Sequence, residues 1–64
     1  MGGYTRELKK ILKDAKCFFV RDGKGDHEIW SSPISKTHFP VDNDIKSRHT
    51  ANEVLKQAGL PKAF

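Results

Sequence analysis

The period of the apolar residues changes twice along the 64-residue chain, and that double change leaves few folds open. Leu8, Ile11, Leu12 and Ala15 recur at i, i+3, i+4 and i+7, the spacing of one apolar helix face. A helix is predicted over Thr5–Lys16. Thr5 is placed to cap its first amides, and Glu7 sits where the helix dipole favours an anion. At Cys17-Phe18-Phe19-Val20 the pattern becomes that of a strand, with β-favouring bulk. Asp22-Gly23-Lys24-Gly25 then forms a turn with residues that tolerate positive φ. A second strand follows over His27–Ser31, carrying Ile29 and Trp30. After the link Ser32-Pro33-Ile34-Ser35 comes a third, Thr37–Val41. Pro40 has no amide to donate to a ladder, so this strand lies at an edge or stops there. The loop Asp42-Asn43-Asp44 leads back to helical spacing at Ala51, Val54, Leu55 and Ala58. Thr50 and Glu53 match a capping box, Gly59 fits the C′ position, and Leu60 is placed to fold back on Leu55.

The predicted order is helix, strand, strand, strand, helix. The economical packing is α+β, with both helices on one face of a three-stranded antiparallel sheet and the other face open to solvent or a partner. Double-stranded-RNA-binding domains share this order. They read duplex shape with helices and a loop. Leu8, Ile11, Leu12, Val54 and Leu55 are expected in the core, joined by Phe18 or Phe19, since both phases of the first strand are apolar. Residues 1–64 are expected to form one domain with a flexible start at about residues 1–3. A chain this short buries only about 60% of its extended surface, which leaves little core with which to enclose a large cofactor.

Charge narrows the partners without choosing among them. Twelve Lys and Arg against eight Asp and Glu give a formal net charge of +4 and a pI near 9.5. This surplus favours polyanions through phosphate attraction and counterion release, and it is also ordinary for a solvated surface, with an acidic protein partner as a further reading. Arg6, Lys9, Lys10, Lys13 and Lys16 on the first helix have both readings open. The single Cys17 excludes an internal disulfide and fits a reducing compartment. No apolar run approaches the ~20 residues that span a bilayer. The expected location is cytoplasmic, with no membrane association.

The reactive residue types are His27, His38, His49 and Cys17. Their spacings of ten and eleven residues match no compact zinc motif, and no metal or other cofactor is expected. No serine or cysteine has a convincing local partner for nucleophilic catalysis. Histidine on a basic surface suits a different chemistry, RNA cleavage, in which the 2′-hydroxyl is the nucleophile and the protein moves protons. The imidazole reference pKa of ~6.5 lies near working pH. Arg21 and Lys24 flank the turn beside His27 and are placed to hold phosphate oxygens. His49 precedes a helix N-terminus, where a phosphate can bind. Trp30 is the candidate anchor for a protein partner if it lies on the open sheet face, and a core residue otherwise. On these residues alone, a catalytic and a purely RNA-binding domain both stand.

The stretches "LKKILKDAKCFFVRDGKGDHEIW", "THFPV" and "HTANEVLKQAGL" together resemble the HicA-like (YcfA-like) toxins of bacterial toxin–antitoxin pairs. The resemblance runs from about Tyr4 to Leu60. It is carried by an amphipathic helix, a hydrophobic strand ending in Arg21, a glycine two places before a histidine, a short strand ending in proline, and the terminal helix. It implies a double-stranded-RNA-binding-like fold used as a ribosome-independent mRNA endoribonuclease with one catalytic histidine. That histidine matches His27, in a chemistry needing no cofactor. It also implies a HicB-like antitoxin covering that region. The expected RNA-contacting residues are Arg21, Lys24 and Gly25 at the turn, Lys10 and Lys13 on the first helix, and His49. His27 and Trp30 are expected to meet the partner. Asp26 stands where the family commonly has serine, Lys16-Cys17 where glycine and an aromatic are common, and His49 where glycine is frequent. The turn from Arg21 to His27 is one residue longer than usual. A non-catalytic RNA-binding module of the same fold is the alternative.

Overall fold

The computed structural model describes residues 3–64; of the flexible start expected at residues 1–3, Met1 and Gly2 lie outside the described residues. The elements are α1 (Thr5–Asp14), β1 (Phe18–Asp22), β2 (His27–Ser32), β3 (Thr37–Asp42) and α2 (Arg48–Gln57). The strands form one antiparallel sheet in the order β1-β2-β3. This is the expected α+β arrangement, with both helices on one face. Pro40 lies in an edge strand, as its missing amide requires, and the strand continues past it to Asp42. Among the described residues no helix is long and apolar enough to cross a membrane.

Alternation along β2 separates the two faces. Trp30 and Ser32 are buried under the helices, as are Phe39 and Val41 of β3, while His27 points to the open side. Leu8 and Leu12 of α1 and Ala51, Val54, Leu55 and Ala58 of α2 complete the core, with Ile11 and Leu60 packed at its margin. Ile45, in the loop before α2, is also buried at 1% exposure. Its amide donates to Thr5 Oγ1 and its carbonyl accepts from the Tyr4 amide.

The helix ends correct two expectations. Thr5 does not cap α1: the cap residue is Tyr4, without a side-chain bond, and the Thr5 hydroxyl instead ties α1 to the β3–α2 loop. Thr50 and Glu53 do not form the capping box. Helix α2 begins two residues before Thr50, and the side chain of Ser47 accepts from the His49 amide. Apolar spacing alone leaves a polar first turn invisible, which explains the late start read from the sequence.

Both helices close with Schellman geometry. In α2, Leu60 N–H donates to Leu55 O and Gly59 N–H to Lys56 O, with Gly59 at φ 80°. In α1, Cys17 N–H donates to Leu12 O and Lys16 N–H to Lys13 O, and Lys16 takes the left-handed position at φ 72°. This turn delivers Cys17 into the core at 4% exposure. It also ends α1 earlier than Lys16, the predicted limit.

Neither Phe18 nor Phe19 joins the core; they are 55% and 48% exposed. Helix α2 packs against β3 and α1 packs against α2, so the helical layer leaves β1 uncovered. Cys17, one residue ahead of the strand, fills the place that an aromatic was expected to take.

Candidate active site

The turn after β1 brings His27 back as the first residue of β2. Gly23 N–H donates to His27 O at 2.8 Å and His27 N–H to Lys24 O at 3.3 Å. Gly25 holds the left-handed position at φ 66°, and the space where a Cβ would stand is open. At Gly23 a Cβ would press on Ile29 Cδ1 and His27 O. The two glycines thus do different work: one permits the reversal and the other permits close packing.

The loop that follows β3 secures this turn, one step beyond the His27–Asp42 pair. Asn43 donates both its backbone N–H and its side-chain amide to Asp26 O, at 3.2 and 2.6 Å. Its side-chain oxygen accepts from Lys9 Nζ of α1 at 3.0 Å. Lys9 also pairs with Glu28 at 3.1 Å. The residue beside His27 is therefore held by a chain of contacts reaching α1.

Antiparallel pairing places Asp42 directly opposite His27. Asp42 Oδ1 accepts from the Asp44 amide at 2.9 Å, and its Oδ2 lies 4.0 Å from His27 Nε2. One carboxylate oxygen is thus fixed by the loop while the other faces the imidazole. Both side chains remain open to solvent, at 48% and 38% exposure. They line an open cavity of about 510 Å³ with Lys24, Gly25, Asp26 and Pro40. Arg21 stands opposite Ile29, another residue lining the cavity, and so shares its face of the sheet.

Glu28, next along β2, points the other way. Its carboxylate accepts from Trp30 Nε1 at 2.9 Å. That hydrogen bond, with the nearby ammonium groups of Lys9 and Lys13, holds its pKa below the ordinary 4.5 against the opposing cost of burial.

The sequence-derived residues divide accordingly. His27, Lys24 and Gly25 come together, with Arg21 on the adjoining strand. Lys10 lies on α1 in a separate cavity that includes Asn43 and Asp44, adjacent to the loop behind the site. Lys13 lines a cleft beside β1. His49 is in the first turn of α2, beside Asn52, Lys56 and Lys62. Trp30 is 3% exposed on the helix-covered face. The open-face anchor expected of it is corrected: its indole is a core group whose N–H is already satisfied. His38 is an exposed residue of β3, and Cys17 is in the core. Among the described residues no group of three or more His, Cys, Asp or Glu is placed to hold a metal ion.

Asp42 and Asn43 are the residues that sequence reasoning missed as a site. A signal for Asp42 existed. If Ser32 pairs with Thr37 across the intervening link, counting outward puts Asp42 opposite His27. Counting one step further puts Asn43 opposite Asp26, where its backbone and side-chain amides both reach the Asp26 carbonyl.

A family model described as the HicA toxin of bacterial toxin–antitoxin matches residues 5–60. No curated protein and no solved structure matches the chain.

Proposed function

The chain belongs to the HicA toxin family of bacterial toxin–antitoxin systems, and from that premise we propose that it is a metal-independent endoribonuclease toxin acting on mRNA, with His27 as its catalytic residue. The observation that carries this reading is the His27–Asp42 pair at 4.0 Å, exposed in a cavity that also holds Lys24 and the glycine turn.

The 2′-oxygen of the RNA attacks the adjacent phosphorus, and the bond to the 5′-oxygen of the next nucleotide breaks. His27 either takes the 2′-hydroxyl proton or supplies one to the departing 5′-oxygen. The products are a 2′,3′-cyclic phosphate and a 5′-hydroxyl. Asp42 orients the imidazole and steadies it when protonated. Lys24 neutralises phosphate charge, and Gly25 lets the backbone approach the substrate. Arg21, Lys10, Lys13 and His49 contact RNA further along. A HicB-like antitoxin covers His27 when the toxin is held inactive.

The test is cleavage of an end-labelled RNA in chelator-containing buffer. Wild-type protein is expected to cut, and folded His27→Ala protein to lose ~10²–10⁴-fold in rate. Equal rates would remove His27 from the mechanism.

A second reading, a non-catalytic RNA-binding module, has one observation in its favour. Asp26 and Asp42 both line the cavity, against one lysine, Lys24, among its described residues, and the two carboxylates weaken its attraction for phosphate. This reading expects salt-sensitive binding, weakened by loss of Lys24 or Arg21, with no products at saturating protein.

A further inference from the structure

The two edges of the sheet are built differently. β3 carries Pro40, a residue that blunts an edge by removing an amide. β1 carries no proline, and its one irregularity is a bulge that leaves Val20 unpaired between Phe19 and Arg21. Phe18, Phe19 and Val20 follow one another on it at 55%, 48% and 39% exposure, and among the described residues no strand lies beyond it. Phe18 is paired with Ser31 and Phe19 with Trp30, so alternation sends the two rings to opposite faces. Apolar surface therefore lies above and below the same open edge. Next to it is a cleft of about 440 Å³, with Cys17, Phe18, Phe19 and Trp30 on its apolar side and Lys9 and Lys13 on its basic side.

We propose that the β1 edge receives an extended segment of the antitoxin, which adds as a fourth strand and presents apolar residues alternating with Asp or Glu. The proposal takes the existence of an antitoxin from family membership and does not depend on the chemistry of His27. An added strand is the shape that covers both faces of an edge while pairing its outward amides and carbonyls. A nucleic-acid strand lies along one face and leaves the other ring exposed. The charge around the edge selects the partner. Glu28, the carboxylate in the cleft, is already paired with Lys9, while Lys13 makes no ion pair among the described residues. Exposed Lys16 and Arg21 flank the apolar run on either side. A second copy of the chain would bring the same cations, on a net charge of +4, against one another. An acidic strand neutralises them.

The experiment measures binding of the antitoxin encoded in the adjacent reading frame to wild-type, Phe18→Lys and Phe19→Lys protein, with amide hydrogen exchange on the wild-type complex. Both rings are half exposed, so the variants are expected to fold, which circular dichroism checks. The expected result is affinity weakened ~30-fold or more in each variant, the range of interface hot spots. Added protection of β1 amides in the complex and unchanged RNA cleavage complete the expectation. Antitoxin that binds both variants as tightly as wild type, or leaves β1 exchange unaltered, overturns the proposal. Concentration-dependent dimers of the protein alone that vanish in Phe19→Lys would assign the edge to a second copy. Variants that lose RNA affinity but keep the antitoxin would assign it to RNA. An antitoxin that fails to bind wild type overturns the proposal as well, while RNA cleavage measured on the same sample would leave the nuclease reading standing.

Discussion

Asp42 faces His27 across the β2–β3 hairpin with Oδ2 4.0 Å from Nε2, while its other oxygen accepts the Asp44 amide. Asp42→Asn keeps an acceptor for that amide and removes the charge. An exposed pair of this kind is worth ~0.2–1 kcal/mol, so the expected loss in RNA cleavage is about fivefold or less. That is far below the loss expected from His27→Ala. Single-turnover rates on one RNA would check the ranking. A larger loss in Asp42→Asn than in His27→Ala would reverse the roles given to the two residues.

Lys16 occupies a left-handed position with φ 72°, where a Cβ is crowded and glycine is not. Lys16→Gly is expected to stabilise the fold by ~1 kcal/mol, raising Tm by ~4–8 °C in a domain of this size. Lys16→Val, β-branched at the same φ, is expected to destabilise it. Thermal melts of the three proteins decide the matter, and a lower Tm for the glycine variant would contradict the account of this helix end.

Ser32 is 1% exposed and its hydroxyl makes three contacts. It donates to Ala58 O at 2.7 Å and accepts from the Ile34 and Ser35 amides at 3.2 and 3.4 Å. Ser32→Ala leaves a carbonyl at the end of α2 without its donor, an expected cost of ~1–3 kcal/mol. Urea denaturation is the measurement. A change within error would mean that water replaces the hydroxyl.

Glu28 titrates below its ordinary value of 4.5 because Trp30, Lys9 and Lys13 favour the carboxylate. A group whose pKa is lowered by folding binds protons more readily when unfolded. It therefore contributes stability fully above pH 4.5, lost as pH falls through the lowered folded value. Urea midpoints of wild type are expected to fall faster below pH 4.5 than those of Glu28→Gln. Parallel curves would show that Glu28 does not contribute to the acid limb.

Leu12 and Leu55 are both fully buried. Truncating either to alanine is expected to cost ~2–5 kcal/mol, which threatens a domain with so small a core. Retention of a wild-type melting curve by either variant would show that the site collapses around the smaller side chain.

The sequence by itself determined the element order, the turn and the edge position of Pro40. These are local properties: apolar period, glycine conformational freedom and a missing amide act within a few residues. Leu8, Leu12, Val54 and Leu55 were legible as core for the same reason, and Gly59-Leu60 as a helix end. His27 was legible as a candidate because histidine in a glycine turn beside Arg21 and Lys24 is visible in the chain alone.

Tertiary structure decided what depends on which layer covers which strand. Trp30 and Phe19 are register partners, yet one is buried and the other half exposed, because the helices cover the β2–β3 side and leave β1 bare. Apolarity states that a side chain gains from burial and does not state whether a neighbour arrives to bury it. The same holds for polar groups. Thr5 had the chemistry of a cap, but Ile45 N–H, forty residues away, came within reach of its hydroxyl. Asn43 met Asp26 in the same manner, once the β2–β3 register had brought the two loops side by side. Hydrogen-bond partners are chosen by proximity in space, and for distant residues the packed fold alone supplies it.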